Sequence, residues 1–244
     1  MAGIWQRVLR NKARARPALP ETIRLDTPKI EVRLRPHPRA RRLTLRLGAD
    51  GRAVLTLPPG VAEPEAQRFL ARHAAWLAQA HERQPAPLAV AWGMGLPVDG
   101  RLVTLEPGSG SPRLDADRLV LRADGEPGPQ AAAWLKRRAS ARLVPLAEGF
   151  AAQLGREVTG FAFRDTRSRW GSCTAQARLN FSWRIAMAPA EVQTYLAAHE
   201  AAHLVEMNHS PQYWAVLEGL MPTYRRPRDW LKSHGRSLHR YRFS

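Results

Sequence analysis

The stretch LAAHEAAHLVEMNHSP, residues 196–211, decides how this sequence is interpreted, because it places His199 and His203 four positions apart with Glu200 between them. The apolar periodicity of residues 190–206 predicts a helix. Residues four positions apart share one face of a helix, so both imidazoles can meet one metal ion. Glu200 projects beside that ion, where it can take a proton from a metal-activated water. The spacing therefore predicts a metal site with Glu200 as the catalytic candidate.

A tetrahedral zinc ion held by two histidines needs a third protein ligand and keeps one position open for water. His209 lies six residues after His203, where Ser210 and Pro211 predict the end of one helix and the start of the next. A chain that turns there can bring His209 back under the ion. We therefore expect Zn²⁺ to be bound by His199, His203 and His209.

Two carboxylates are rivals for the third position. Glu218 is the only carboxylate within residues 210–228 and lies on the next predicted helix. Glu206 is nearer, but it lies one helical turn from His203 on the same predicted helix. His209 is favoured because imidazole suits zinc and because its place in the turn is right.

The surroundings of the motif argue against two solvated histidines that share a face by chance. A helix that is apolar on all sides is buried, and buried His and Glu side chains need partners. The small alanines also leave room for an ion. The neighbours are Leu196, Ala197, Ala198, Ala201, Ala202, Leu204 and Val205.

The charge is strongly basic. The chain has 244 residues with 38 Lys and Arg against 21 Asp and Glu, which gives a net charge of +17. Arginine suits phosphate, so a nucleic-acid partner is conceivable. The bases are spread along the whole chain, however, and a focused patch is the stronger sign of nucleic-acid binding. Raised arginine usage throughout the sequence is the simpler interpretation.

A single cysteine, Cys173, excludes an intramolecular disulfide framework and a multi-cysteine zinc ribbon. No apolar run approaches the roughly 20 residues of a transmembrane helix. The first 16 residues carry several bases and lack the apolar region of a secretory signal. We expect a soluble, cytoplasmic protein without membrane contact.

The order of the predicted elements is α+β. Residues 1–25 form a basic tail in this interpretation. Residues 26–128 form a β-rich N-terminal lobe, with a β-hairpin over residues 43–57 and one helix over residues 64–83. Residues 129–240 form the catalytic lobe that carries the HExxH motif, and residues 26–240 together make one family-level domain.

Several further residues are candidates for smaller roles. Pro145 should kink or split the helix predicted from Gln130 onward. Residues 178–184 form a strand that could bind an extended peptide along its edge. Tyr224 and His234 are candidate donors to an oxyanion, although core or surface roles are more common for such residues.

The sequence resembles the YgjP-like metallopeptidase family, which is related to the SprT-like zincins. The resemblance covers about residues 28–240, whereas the tail lies outside it. It implies a zincin-like fold, zinc bound by His199, His203 and His209, and Glu200 as the catalytic acid/base. The blocks that carry it are RWGSC at 169–173, LNFSWR at 179–184, AP at 188–189, the HExxH motif and NHSPQYW at 208–214.

We therefore predict a zinc metallopeptidase that hydrolyses peptide bonds with a metal-activated water and Glu200 as general base. Its partner is a peptide or protein substrate. Two alternatives stay open: a nucleic-acid-associated, SprT-like protein or protease, and a metal-binding scaffold without turnover. The sequence leaves the oligomeric state and the cleavage specificity undetermined.

Overall fold

The computed structural model describes residues 19–26, 29–48, 51–82 and 86–244. Helices and several small sheets are mixed, which confirms the predicted α+β class. The chain divides into two compact units, Met1–Arg83 and Gln84–Ser244. Most of the predicted basic tail lies outside the described residues.

The first unit is a four-stranded sheet with two helices. The sheet order is β1-β2-β4-β3, with β2 and β4 parallel and the other pairs antiparallel. Alternate residues of β2 are buried, as expected for a strand with one face on a core. The elements are β1 (Thr22–Asp26), β2 (Lys29–Pro36), β3 (Thr44–Leu47), β4 (Ala53–Leu57), α1 (Glu63–Arg72) and α2 (Ala74–Glu82).

Three features of this unit bear on the sequence predictions. The predicted hairpin is confirmed by the β3–β4 pair, although residues 49–50 of its turn lie outside the described residues. Strand β1 occupies positions that the sequence assigned to the tail, because its pairing with β2 is not visible in local periodicity. The single predicted helix is two helices that meet at His73, whose Nδ1 bonds to the carbonyl of Phe69 at 2.8 Å.

The second unit contains three small sheets around long helices. Strands of residues 88–122, which the sequence assigned to the N-terminal lobe, share the hydrophobic core of this unit. The functional division into two lobes stays a prediction. The strands are β5 (Leu88–Ala89), β6 (Gly95–Val98), β7 (Arg101–Gly108), β8 (Arg113–Asp115), β9 (Arg118–Arg122), β10 (Gly160–Arg164), β11 (Gly171–Cys173), β12 (Arg178–Ser182) and β13 (Tyr241–Arg242).

The strand order of these sheets shows which strands are central and which have an unpaired edge. The sheets have the orders β6-β7-β9-β8, β10-β12-β11 and β13-β5. In the second of them, β12 pairs in parallel with β10 and antiparallel with β11. Strand β12 is therefore central, and β11 is an edge.

The sequence predicted that Pro145 would kink or split this helix, but helix α3 (Pro127–Gln153) continues through Pro145, so it is not split there. Proline removes the hydrogen bond to the carbonyl four residues earlier, which belongs to Ala141. Both Pro145 and Ala141 are exposed, so water can satisfy that carbonyl. The helix tolerates the proline because the lost bond lies on its solvent face.

Helix α4 (Ala190–Ala202) is buried on nearly every side and packs against α3, which explains its apolar sequence. Its first turn is anchored by the turn between β6 and β7. There Asp99 accepts hydrogen bonds from Arg138 and from Gln193 of α4. Gly100 has a φ of +81°, and a Cβ there would lie 2.9 Å from Pro189. The helix that carries the HExxH motif is thus held in place at its start.

Helices α5 (Pro211–Leu220) and α6 (Arg225–His234) complete the unit, and both contact α4. In the part of the chain that the structure describes, no helix has both the length and the apolar character needed to cross a membrane.

Candidate active site

Three imidazoles converge at the end of α4. His199 lies in the last turn of α4, His203 is its C-cap residue, and His209 lies in the turn before α5. One ring nitrogen from each histidine lies within 4.8 Å of the others. The Nε2 atoms of His199 and His209 are 3.3 Å apart. The structure therefore brings together the three histidines that the sequence singled out.

The turn that returns His209 is built by its own side chains and carbonyls. The carboxylate of Glu206 accepts from the backbone N–H of Asn208 at 3.3 Å. Ser210 caps α5, since its hydroxyl accepts from the backbone N–H of Tyr213 at 3.2 Å, and Pro211 follows in the first turn. The predicted helix start at Ser210 and Pro211 is confirmed.

Hydrogen bonds turn two of the histidines toward a common point. His203 donates its Nδ1 proton to the carbonyl of Glu206 at 3.0 Å. Tyr213 donates to the backbone carbonyl of His199 at 3.1 Å, so its hydroxyl oxygen can accept the Nδ1 proton of His199, 2.6 Å away. Both contacts leave Nε2 with its lone pair for an ion, which is how ligand histidines are commonly oriented.

Burial keeps these rings neutral. Burial and the neighbouring histidines His203 and His209 lower the pKa of His199 to about 3. Burial also lowers the pKa of His203. Only the neutral imidazole can bind a metal ion, so burial prepares His199 and His203 as metal ligands at neutral pH.

Three imidazoles are a donor set that suits zinc, and one pair of them has the spacing of two zinc ligands. Tetrahedral zinc with Zn–N distances of about 2.05 Å places its ligand nitrogens about 3.3 Å apart. That is the separation of the Nε2 atoms of His199 and His209. The rival ligand Glu218 is engaged elsewhere, because its carboxylate pairs with Arg225 at 3.3 Å.

The carboxyl group of Glu200 is buried beside the histidines, with 3% of the residue exposed. Its Oε2 atom is buried and makes no hydrogen bond to any described residue. Burial raises the pKa of Glu200 to about 8. A nearby cation would lower that pKa again by favouring the charged form. Glu200 is therefore a carboxyl group whose protonation state depends on an ion at the histidines.

Gly171 makes room for this carboxyl group. A Cβ at residue 171 would lie 2.3 Å from Oε1 of Glu200, which is far inside contact distance. Gly171 begins the edge strand β11, which contacts α4. The sequence block RWGSC therefore contains β11, the strand that contacts the HExxH helix.

An open cleft runs past the histidines and Glu200. Its volume, about 570 Å³, lies within the range of roughly 300–1,000 Å³ typical of ligand sites. Edge strand β11 borders the cleft at Gly171, and α6 borders it at Arg228 and Lys232. The sequence proposed residues 178–184 as the peptide-binding edge, and this was wrong because β12 has neighbours on both sides. The free edge at the cleft belongs to β11.

The structure places the two candidate oxyanion donors, Tyr224 and His234, away from the cleft, and it leaves Cys173 without an activated thiol. Tyr224 is buried and stacks on Trp214, and His234 is exposed and stacks on Trp230, so neither borders the cleft. Cys173 is half-buried, and burial together with the charge of Glu200 raises its thiol pKa to about 11. That thiol is not an activated nucleophile.

Sequence reasoning missed the two tyrosines around His199. Tyr195 lies one turn before His199 on α4, and its hydroxyl is 3.2 Å from Nδ1 of that histidine. The spacing of four residues was a usable signal for it. The sequence block NHSPQYW contains Tyr213 but assigns it no role, because its hydrogen bond to His199 depends on how α5 packs against α4.

An α+β domain in which an HExxH helix, a following histidine and a sheet edge meet at one cleft has the arrangement of a metallopeptidase domain. The chain belongs to the YgjP-like family, because residues 41–234 match its metallopeptidase domain. It is accordingly a peptidase, a hydrolase of the metal-dependent class.

One solved structure is similar to part of the chain, the metallopeptidase zymogen abylysin of Pyrococcus abyssi. The two share 17% identity with a TM-score of 0.29, over 42% of this chain and 95% of that one. No curated protein matched the sequence.

Proposed function

We propose that the protein is a zinc-dependent peptidase in which His199, His203 and His209 bind the metal and Glu200 is the general base. The observation that carries the proposal is the approach of three imidazole nitrogens, within 4.8 Å of one another, beside a buried carboxyl group. The choice of zinc rests on the donor set, since three histidines with an open position are typical of catalytic zinc.

Each residue has a distinct task in peptide hydrolysis. Zinc, when bound, supplies Lewis acidity that polarises the peptide carbonyl and makes a water molecule acidic. Glu200, whose pKa would fall beside a bound cation, would exist as a carboxylate and accept the proton of the attacking water. Glu200 then delivers that proton to the departing amine nitrogen. Tyr213 and the carbonyl of Glu206 orient the histidines.

Strand β11 is proposed to position the substrate. Its outer edge is unpaired within the described sheets and borders the cleft at Gly171. An extended peptide can add to such an edge through main-chain hydrogen bonds. This would place a peptide bond next to Glu200.

We also propose that the enzyme acts in the cytoplasm, on the basis of its single cysteine.

The test compares cleavage of a mixed peptide library by three preparations of the full chain. The zinc-loaded protein should cleave, the chelator-treated protein should not, and added zinc should restore cleavage. The Glu200→Gln variant should bind one zinc yet lose activity by at least the roughly 10²–10⁴-fold typical of a general base. Full activity of this variant would contradict the assigned role. Absence of cleavage by the zinc-loaded wild type would support a scaffold without turnover.

A further inference from the structure

The cleft beside the histidines is unusually basic even for this chain. Five of its 14 lining residues are Lys or Arg, against 38 of 244 in the whole sequence. Glu200 is the one carboxylate among the lining residues, and it is buried. The bases come from two elements, the segment before β11 and the region of α6. They are Arg167, Arg169, Arg228, Lys232 and Arg236.

Three of these bases form no ion pair within the described residues, although Arg169 is near enough to Glu200 to lower the pKa of that carboxyl group. Among the described residues, no carboxylate lies within ion-pair distance of Arg169, Arg228 or Lys232. Asp229, which follows Arg228 in sequence, is also beyond ion-pair distance of all three bases. Arg225, one turn earlier on the same helix, is paired with a carboxylate at 3.3 Å. The cleft therefore presents cations that still have charge to offer a ligand.

Arg228 is held in position without the loss of its charge. Its guanidinium lies 4.7 Å from the ring centroid of Trp214, a cation–π contact that fixes the group but leaves its hydrogen-bond donors available. Lys232 follows four residues later on α6, so both side chains project from the same helix face. Together they form a basic rim along the cleft.

We propose that this rim and Arg169 select peptides that carry Asp or Glu side chains close to the scissile bond. The proposal rests on the peptidase function proposed above and names its substrate class. Unpaired cations in a cleft attract carboxylates and repel Lys and Arg side chains, and such like-charge contacts are a strong source of specificity. The bases border the position where the peptide bond would lie, which favours a peptide over nucleic acid as the ligand.

The first experiment measures kcat/KM of the zinc-loaded protein for three fluorogenic peptides. The peptides share one apolar scissile bond, which is flanked on both sides by Glu, by Gln or by Lys. An exposed ion pair contributes about 0.2–1 kcal/mol, so two or three pairs should favour the Glu peptide over the Gln peptide by roughly tenfold. The preference should shrink as salt is raised. Equal cleavage of all three peptides would overturn the proposal while leaving the peptidase function intact.

The second experiment places the preference on the rim. In Lys232→Glu the ratio of Glu-peptide to Gln-peptide cleavage should fall by roughly fivefold or more, because one attraction becomes a repulsion. The matched control is Arg226→Glu, an exposed base on the same helix that does not border the cleft, with the same change in net charge. An equal fall in both variants would mean that overall charge, and not this rim, sets the preference.

A binding measurement separates the two proposals from each other. Fluorescence anisotropy with labelled Glu and Gln peptides on zinc-loaded Glu200→Gln protein does not require turnover. Tighter binding of the Glu peptide supports the rim even if the wild type cleaves nothing. A single-stranded oligonucleotide is then added as a competitor of the labelled Glu peptide. It should displace the peptide from wild type no better than it does from Arg226→Glu. If Lys232→Glu weakens oligonucleotide binding but leaves the peptide preference unchanged, the rim is a nucleic-acid site and the proposal is wrong.

Discussion

The carboxyl group of Glu200 occupies the space that a side chain at residue 171 would fill. A Cβ on Gly171 would lie 2.3 Å from Oε1 and 2.6 Å from Cδ of Glu200. Real Cβ atoms do not approach other atoms so closely, so either the strand or the carboxyl group would have to move. The edge strand and the HExxH helix are thus fitted to each other at the proposed general base.

Gly171→Ala should therefore impair catalysis more than folding. The added methyl group displaces the carboxyl group of Glu200, and a displacement of about 1 Å can cost roughly 10²-fold in rate. Zinc binding should persist because the atoms nearest to a Cβ at residue 171 all belong to Glu200 and not to a histidine. The measurements are kcat and zinc content. Gly149→Ala is the control, since nothing lies within 4 Å of a Cβ there. It should keep its activity and gain up to about 1 kcal/mol in helix stability.

Tyr213→Phe should weaken zinc binding. The variant removes the hydroxyl that orients His199 from 2.6 Å away. Loss of a group that orients a ligand typically lowers metal affinity about 10–100-fold. Competition with a chromophoric chelator measures that affinity. Tyr224→Phe is the control, because the hydroxyl of Tyr224 makes no hydrogen bond to the residues that the structure describes. Equal affinities for the two variants would show that Tyr213 is only a packing residue.

The stability of the metal-free protein should reveal the burial of Glu200. Burial raises the folded-state pKa of Glu200 from 4.5 to about 8, so between these values the folded protein holds a proton that the unfolded chain has released. This contribution is complete below pH 4.5 and is lost as the pH rises toward 8. Glu200→Gln cannot lose that proton, so its stability relative to wild type should increase with pH across this window.

The test is urea unfolding of both chelator-treated proteins between pH 5 and pH 8. The difference in unfolding free energy should grow by at most about 1.4 kcal/mol per pH unit. The low pKa of His199 acts in both proteins and cancels in the comparison. Parallel pH profiles would mean that the carboxyl group of Glu200 is ionised in the metal-free protein.

Arg184 should be the most costly arginine to remove from the second unit. It is 3% exposed, pairs with Asp165 at 2.6 Å, and donates to the carbonyls of Leu238 and Tyr241. Removal of one partner of a buried pair costs about 3–5 kcal/mol, although the partial exposure of Asp165 favours the low end. Calorimetry should show a large fall in Tm for Arg184→Met.

The control for that measurement is Arg122→Met, which breaks the pair with Asp124 on the surface. Both side chains there are mostly exposed and solvent screens the pair, so the change should leave Tm nearly unchanged. Similar falls in Tm for the two variants would contradict the structural role given to Arg184.

Local features of this chain could be predicted from its sequence. The spacing of His199 and His203 places both on one helix face, and Ser210 with Pro211 marks the next helix start. These signals depend on residues a few positions apart. For the same reason, the hairpin of β3 and β4 was predictable from its two alternating runs and the glycines between them.

Features that depend on distant pairing could not be predicted in this way. Residues 178–184 alternate like an edge strand, but β10 lies on one side and β11 on the other. The same holds for Gly171. Residue 171 must lack a side chain because the carboxyl group of Glu200, 29 positions later, packs against it. Local periodicity contains no information about which strand is covered or which glycine faces a carboxyl group.

Zinc content of purified His209→Ala tests the central claim most directly, with Glu218→Gln as the matched control. Elemental analysis after exhaustive dialysis should find about one zinc per chain in wild type and in Glu218→Gln, because Glu218 is paired with Arg225. His209→Ala should retain far less, with affinity reduced beyond the roughly 10–100-fold expected for an orienting residue. One full equivalent of zinc in His209→Ala would contradict the proposed three-histidine site.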